Sequence, residues 1–244
     1  MHDAATRAAS GVFTPYGASH LVVLAVLVVV GWWLLRRGRA LRGTSAADRL
    51  SMTFAVVFLA LTLPLQIWFL TPPRFNIEGA LPIQLSDLAW LTAVYALMTR
   101  ARWASALTYY WGLTLTTQAI FTPSLDRDFP ALPFFLFWAM HGLTVVAAIY
   151  LTWGLGITPD WRRYRVTLAA TALWAVSVFT FNSIVDTNYG FLNAKPDTAS
   201  LLDWFGPWPW YLLVETVIVA SVWALITVPW VLRAKASSRG GTGA

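Results

Sequence analysis

The run GASHLVVLAVLVVVGWWLLRRGRALR, residues 17–42, sets a long apolar stretch directly against four arginines. Residues 21–35 carry no charge and no proline. About 20 residues rising 1.5 Å each cross a hydrocarbon core about 30 Å thick, so this stretch reads as a membrane helix. Trp32 and Trp33 stand where the apolar run meets the basic cluster, the place amphipathic rings favour at a membrane surface. Six further stretches repeat the pattern. With the first at 17–35 they fall at 53–71, 82–99, 103–121, 132–154, 166–185 and 208–232. The third is the weakest, because Gln84, Ser86 and Asp87 lie at its start. The expectation is an all-α fold, a polytopic membrane helix bundle of about seven transmembrane helices.

The whole chain agrees with its first span. Of 244 residues 58% are hydrophobic and 11% charged, whereas soluble domains carry roughly a quarter charged. The net charge of +6 comes from basic residues lying between apolar spans, which makes them topology signals and not a nucleic-acid footprint. Nucleic acid is therefore not an expected partner. No cysteine is present, which excludes disulfides, thiolate metal sites and a cysteine nucleophile. The opening MHDAATRAASGVFTPYGASH lacks the basic region, short apolar core and small-residue site of a cleaved signal peptide.

Lys and Arg are retained on the cytoplasmic side, so their placement orients the bundle. The first, third and fifth connections and the C-terminal end hold 13 of the 17 basic residues. The other side has Arg7, Arg74, Arg127 and Lys195, together with seven of the eleven acids. An odd number of spans fits this alternation and an even number breaks it. The expected organisation is an extracellular N-terminal segment at 1–16, the seven-helix domain at 17–232 and a disordered cytoplasmic tail at 233–244, in a multi-pass protein of the cell membrane. The outer connections, among them TPPRFNIEGALP and FTPSLDRDFPALP, are rich in proline and aromatics and read as a shaped lid.

Polar side chains are costly inside a membrane, so where they gather is informative. The predicted inner halves hold only Ser, Thr and Tyr, while the outer halves hold Ser86, Asp87, Gln118, His141, Asn182, Asp186 and Glu215. At 1.5 Å per residue, Ser86 lies within roughly 8 Å of the outer surface, Glu215 roughly 10 Å deep and His141 roughly 14 Å deep. Tyr110, Thr114, Thr117 and Gln118 follow helical spacing on one face of the fourth span, and Tyr211 and Glu215 share a side of the seventh. Together these groups outline an outward-open chamber; ordinary packing by Ser and Thr is the plainer alternative. Within it, His141 has the chemistry of a general base and Ser86 that of a nucleophile, with Asp87, Asp186 or Glu215 to orient the imidazole. Histidine occurs only at positions 2, 20 and 141, and no phosphate-cradling loop or zincin helix is present. Neither a metal nor a cofactor is expected.

The strings LPIQLSD (81–87), WGLTLTTQAIFTPSL (111–125), His141-Gly142, NYGFLNAKP (188–196) and SLLDWFGPWPWY (200–211) resemble those of the YwaF-like bacterial membrane family. That family is similar to the eukaryotic transmembrane ether-phospholipid acyltransferase and, more distantly, to the androgen-induced threonine hydrolases of fatty-acid esters. The resemblance implies acyl chemistry on a phospholipid or fatty-acyl substrate. A nucleophile attacks the ester and a histidine on a later helix assists it. Ser86 matches the nucleophile position and His141 the histidine. This chain departs in having Ser86 where the acyltransferase has cysteine, and Gln84 where members often carry histidine. The expected catalytic residues are Ser86, His141 and Asp87. The expected substrate-binding residues are Gln84, Thr117, Gln118, Asn182, Asp186, Tyr211 and Glu215, and membrane lipids are the expected partners. A small-molecule transporter or ligand sensor is the alternative, and its weakness is an inner half without ionisable stations. A non-catalytic lipid-binding protein is the third reading.

Overall fold

The computed structural model describes residues 11–196 and 201–240. The expectations for residues 1–10 and 241–244 lie outside the described residues. The described chain is built of helices: α1 (Ala18–Leu41), α2 (Ser45–Leu70), α3 (Leu85–Thr99), α4 (Arg102–Trp111), α5 (Thr117–Phe121), α6 (Leu132–Ile149), α7 (Trp161–Val185) and α8 (Trp210–Gly240). A π-helical segment, Gly112–Thr116, joins α4 to α5 without a break, and a second, Tyr150–Gly154, prolongs α6. Five helical stretches are long and apolar enough to cross a membrane, namely α1, α2, Leu132–Gly154, α7 and Trp210–Ser238. The protein is thus an all-helical, multi-pass integral membrane protein in contact with lipid.

Helix α3 has only 15 residues. At 1.5 Å per residue it spans about 22 Å, less than a hydrocarbon core. Pro82 precedes it and holds the chain in a turn, so the apolar stretch expected from 82 becomes helical only at Leu85. Elsewhere caps carry helices past the expected ends. The Thr44 hydroxyl accepts from Ala47 N at 3.4 Å and the Asp160 carboxylate accepts from Arg163 N at 2.9 Å, starting α2 and α7 before their apolar cores begin. Asp186, at φ 59° and ψ 50°, stops α7 in the left-handed conformation that a short polar side chain tolerates. The tail expected to be disordered from 233 is helical to Gly240. Arg233, Ala234, Lys235 and Ala236 are good helix formers, and their cations suit a helix C-terminus.

The chain divides into two compact units, one of residues 1–75 and 86–157, the other of residues 76–85 and 158–244. In the first, contacts between side chains fix the direction of each helix. Going along α1, Leu27, Gly31 and Gly38 meet Gly142, Val146 and Gly154 in the same order, so α1 and α6 are parallel. Going along α2, Asp48 pairs with Arg100 and the Phe58 ring lies 6.2 Å from Trp90, so α2 and α3 are antiparallel. Tyr109 against Trp153, Gly112 against Thr144 and Ala148, and Ile120 beside Phe134 and Trp138 make the α4–α5 run antiparallel to α6. The short connections 42–44 and 100–101 link these pairs, so five consecutive helical runs alternate in direction.

Each end of this unit is pinned. At one, Arg42 Nη2 donates to Gly154 O at 2.8 Å and to Trp153 O at 3.0 Å, and Arg39 Nε donates to Trp153 O at 3.2 Å. These cations satisfy carbonyls that the end of the α6 run leaves free. At the other, the wholly buried His20 accepts from Tyr16 N at Nδ1 (2.9 Å) and donates from Nε2 to Ile120 O (3.0 Å). Both ring nitrogens are engaged, so His20 is a structural pin. Between the ends, Phe54, Phe58, Trp90, Leu97, Met140 and Tyr150 share one apolar core.

In the second unit Asn182 is the hub. Its Nδ2 donates to Tyr189 O and Asn193 Oδ1, both at 2.9 Å, while its Oδ1 accepts from Thr187 Oγ1 (2.9 Å) and Tyr189 N (3.0 Å). Tyr189 in turn donates its hydroxyl to Ile77 O at 2.6 Å and accepts from Leu81 N at 3.1 Å. Segment 76–85 is thereby stapled to the loop after α7.

Candidate functional site

Ser86 sits in the first turn of α3, half-buried, and its hydroxyl makes no hydrogen bond among the described residues. The positive end of the helix macrodipole favours negative charge at such a position. Two contacts set what lies opposite. Ten residues along α2 from Asp48 reach Phe58, and ten back from Arg100 reach Trp90, the two matched pairs of an antiparallel register. Four more steps on each helix, about 6 Å, arrive at Thr62 and Ser86. Residues four apart share a helical face, so both stand on the sides where α2 and α3 meet.

Helix α6 brings His141 to the same level. Tyr150 Oη lies 2.9 Å from Ser51 Oγ, and its ring lies 6.1 Å from that of Phe54. Eleven residues on from Ser51, and eleven back from Tyr150, pair Thr62 with Ala139; eight steps from Phe54 and Tyr150 pair it with Gly142. His141 falls between. Counting depth from the span ends put His141 roughly 6 Å below Ser86; counting from the contacts that α2 makes with α3 and α6 sets the two at one level. Counting from Gly112, opposite Thr144 and Ala148, sets Thr117 within about a turn of His141.

The histidine is held in one tautomer. Its Nδ1 lies 2.8 Å from Phe137 O, and a carbonyl oxygen only accepts, so Nδ1 carries the proton. In the neutral ring Nε2 then presents a lone pair, the form a general base needs. Phe137 also covers one face, with ring centroids 4.4 Å apart. No carboxylate from Asp87, Asp186 or Glu215 holds Nδ1 in the way the sequence suggested. Phe137 O does so, and the Thr144 hydroxyl donates to Met140 O. Asp87, one residue past Ser86, is buried at 5% exposure.

The fourth helical run departs from the sequence arithmetic. Tyr110 is wholly buried while Gln118 is exposed, so the two differ in environment along the run. The π segment between them widens one turn of the run. Gly112 O accepts from Thr116 Oγ1 at 2.6 Å and Thr117 Oγ1 at 3.0 Å, which steadies the widened turn.

The remaining expected residues belong to the second unit. Gln84 Oε1 accepts from Gly190 N at 2.9 Å, at a glycine with φ +68° whose added Cβ would stand 2.6 Å from the Trp174 ring. Asn182 has both amide hydrogens and its oxygen engaged, so its expected role as a free donor to substrate is replaced by a structural one. Asp186 is exposed at the end of α7, Tyr211 is buried with its hydroxyl on Phe191 O, and Glu215 is half-buried one turn further along α8. Sequence reasoning passed over Thr62 and Trp90, whose buried polar atoms have no hydrogen-bond partner. Only the packing of α2 on α3 reveals them.

The TMEM164 family model matches residues 15–227, nearly the whole helical region. No curated protein and no solved structure matches the chain. With most of its length covered by that model, this integral membrane protein belongs to the TMEM164 family.

Proposed function

We propose that the protein is a lipid acyltransferase or lipid esterase of the cell membrane, with Ser86 as nucleophile and His141 as its base. The observation that carries this reading is the tautomer of His141, fixed by Phe137 O with Nε2 free, at the level of an unbonded serine hydroxyl. A backbone carbonyl takes the orienting role that a carboxylate plays in serine triads. As Ser86 Oγ attacks the ester carbonyl carbon, its proton passes to His141 Nε2. The bond to the lipid alcohol oxygen breaks, and that oxygen takes the proton from Nε2. An acceptor hydroxyl or water then gives its proton to Nε2 and attacks the acyl-serine, and Ser86 recovers its hydrogen. Thr117 and Gln118 on the neighbouring run contact the bound lipid.

The basic residues at the Arg39–Arg42 and Arg100 end orient that end to the cytoplasm, with seven crossings and the N-terminus outside. Ser86 and His141 lie away from it, which makes the outer leaflet the source of substrate. The reaction class is tested by labelling purified protein with an alkyl fluorophosphonate. Wild type gains one adduct and Ser86→Ala gains none; equal labelling of the two contradicts the proposal.

A further inference from the structure

Ten threonines on these helices, among them Thr108, Thr144, Thr167, Thr180 and Thr227, donate their hydroxyls to the carbonyl four residues back. Thr62 does not, although it is wholly buried and lies in regular α-helix. Trp174 and Trp208 each place the indole N–H on a carbonyl, at 2.9 and 3.1 Å. Trp90, 1% exposed, leaves its own without a partner, as do Trp138 and the buried hydroxyls of Ser105 and Thr152. Unpaired buried donors are rare because each forgoes the hydration it had in water. Of these, Thr62 and Trp90 lie on either side of Ser86. Thr62 stands level with it on the facing helix, and Trp90 lies one turn beneath it on the same face. Side chains tilt toward the N-terminus of their helix. The tilt carries the Trp90 indole up toward Ser86 and the Thr62 hydroxyl down toward Trp90, so the two converge. Pro64 sits two residues beyond Thr62 and removes the N–H that would bond Ala60 O, loosening α2 at this level.

We propose that the Thr62 hydroxyl and the Trp90 indole N–H are the two donors that receive the carbonyl oxygen of the acyl ester attacked at Ser86. The proposal rests on the reading of Ser86 as nucleophile and adds a binding function for groups that reading does not use. A tetrahedral intermediate places negative charge on that oxygen, and preorganised donors in a dry site stabilise it with little reorganisation. Both groups donate, as an oxyanion requires, and the indole N–H has no acceptor capacity.

The test follows the rate at which an alkyl fluorophosphonate forms its adduct on Ser86, by intact mass, in the full chain. Serine Oγ bonds to phosphorus as fluoride leaves, and the phosphoryl oxygen occupies the oxyanion position. Thr62→Val and Trp90→Phe each slow labelling by about 100-fold, and Thr62→Ser restores it. Thermal midpoints stay level or rise, because an apolar group of similar shape replaces an unpaired donor. Rates within about threefold of wild type in both variants overturn the donor pair while leaving Ser86 as nucleophile. A fall in midpoint that accompanies slow labelling, and that Thr62→Ser reverses, also overturns it by showing the hydroxyl to be structural. Wild type that takes no adduct at Ser86 overturns the serine reading, and the donor pair with it.

Discussion

Gly38 and Gly31 occupy the same face of α1 against α6, and alanine has opposite consequences at the two. A Cβ on Gly38 would stand 2.9 Å from Tyr150 Cε2 and 3.0 Å from Gly154 Cα, with backbone on one side and a buried ring on the other. Overpacking of this kind costs about 1–3 kcal/mol. Displacing the ring also breaks its 2.9 Å bond to Ser51, worth about 1 kcal/mol, while alanine returns about 1 kcal/mol of helix propensity. The net loss is about 1–3 kcal/mol. A Cβ on Gly31 meets only Val146 Cγ2, at an ordinary 3.7 Å, so that variant keeps the propensity gain. The two variants should differ by about 2–4 kcal/mol, or roughly 4–16 °C at 2–4 °C per kcal/mol for a chain of this size. Near-ultraviolet circular dichroism of detergent-purified protein, heated at one fixed rate, reads the difference. Gly38→Ala melting at or above Gly31→Ala would refute the parallel packing of α1 on α6.

Asn182→Leu leaves Tyr189 N–H and O, Thr187 Oγ1 and Asn193 Oδ1 without their partner in the second unit, a loss of about 3 kcal/mol; protease cleavage between 186 and 196 should rise, with residue 38 variants serving as a comparison for general instability. His20→Phe keeps the ring beside Trp138 but strips Tyr16 N–H and Ile120 O of their bonds, costing about 2 kcal/mol and read as a lower thermal midpoint. The absence of native cysteine makes thiol crosslinking clean. Ser86→Cys should crosslink to Thr62→Cys through a short reagent spanning about 8 Å, within an interhelical separation of 8–10 Å, and not to Leu61→Cys, whose side chain is exposed. Equal yields in the two pairs would refute the register of α2 against α3.

Much of the architecture is legible in the apolar runs, because a membrane demands about 20 residues without charge and punishes anything else. The α6 run begins at Leu132 and ends at Gly154, as its hydropathy reads. Features set by local hydrogen bonds were less legible. Gly112–Thr116 has the composition of an ordinary helix, and nothing in its spacing announces a π turn between Tyr110 and Gln118. The helix past Arg233 reads as a polar tail when hydropathy alone is considered.

The candidate site was legible in its reactive groups and not in their surroundings. Ser86 and His141 stand out as a hydroxyl and an imidazole in apolar company. Asn182 stands out for the same reason, yet its hydrogen bonds are all internal, which only the folded loop 187–193 reveals. Thr62 and Trp90 are hidden by their chemistry, since threonine and tryptophan are routine on membrane helices. Their meaning comes from an unmet donor at the level of Ser86, a property of packing and not of sequence. Phe137 orients His141 through its backbone carbonyl, so its side-chain identity gives no clue.

Intact-protein mass after incubation with mixed phospholipids, comparing wild type, Ser86→Ala and His141→Ala, tests the central claim most directly. The account predicts a fatty-acyl mass gain on wild type, absent from Ser86→Ala and either absent from or trapped in His141→Ala. An acyl gain undiminished in Ser86→Ala, or no adduct and no lipid turnover in any sample, would contradict it and favour a binding or scaffold role.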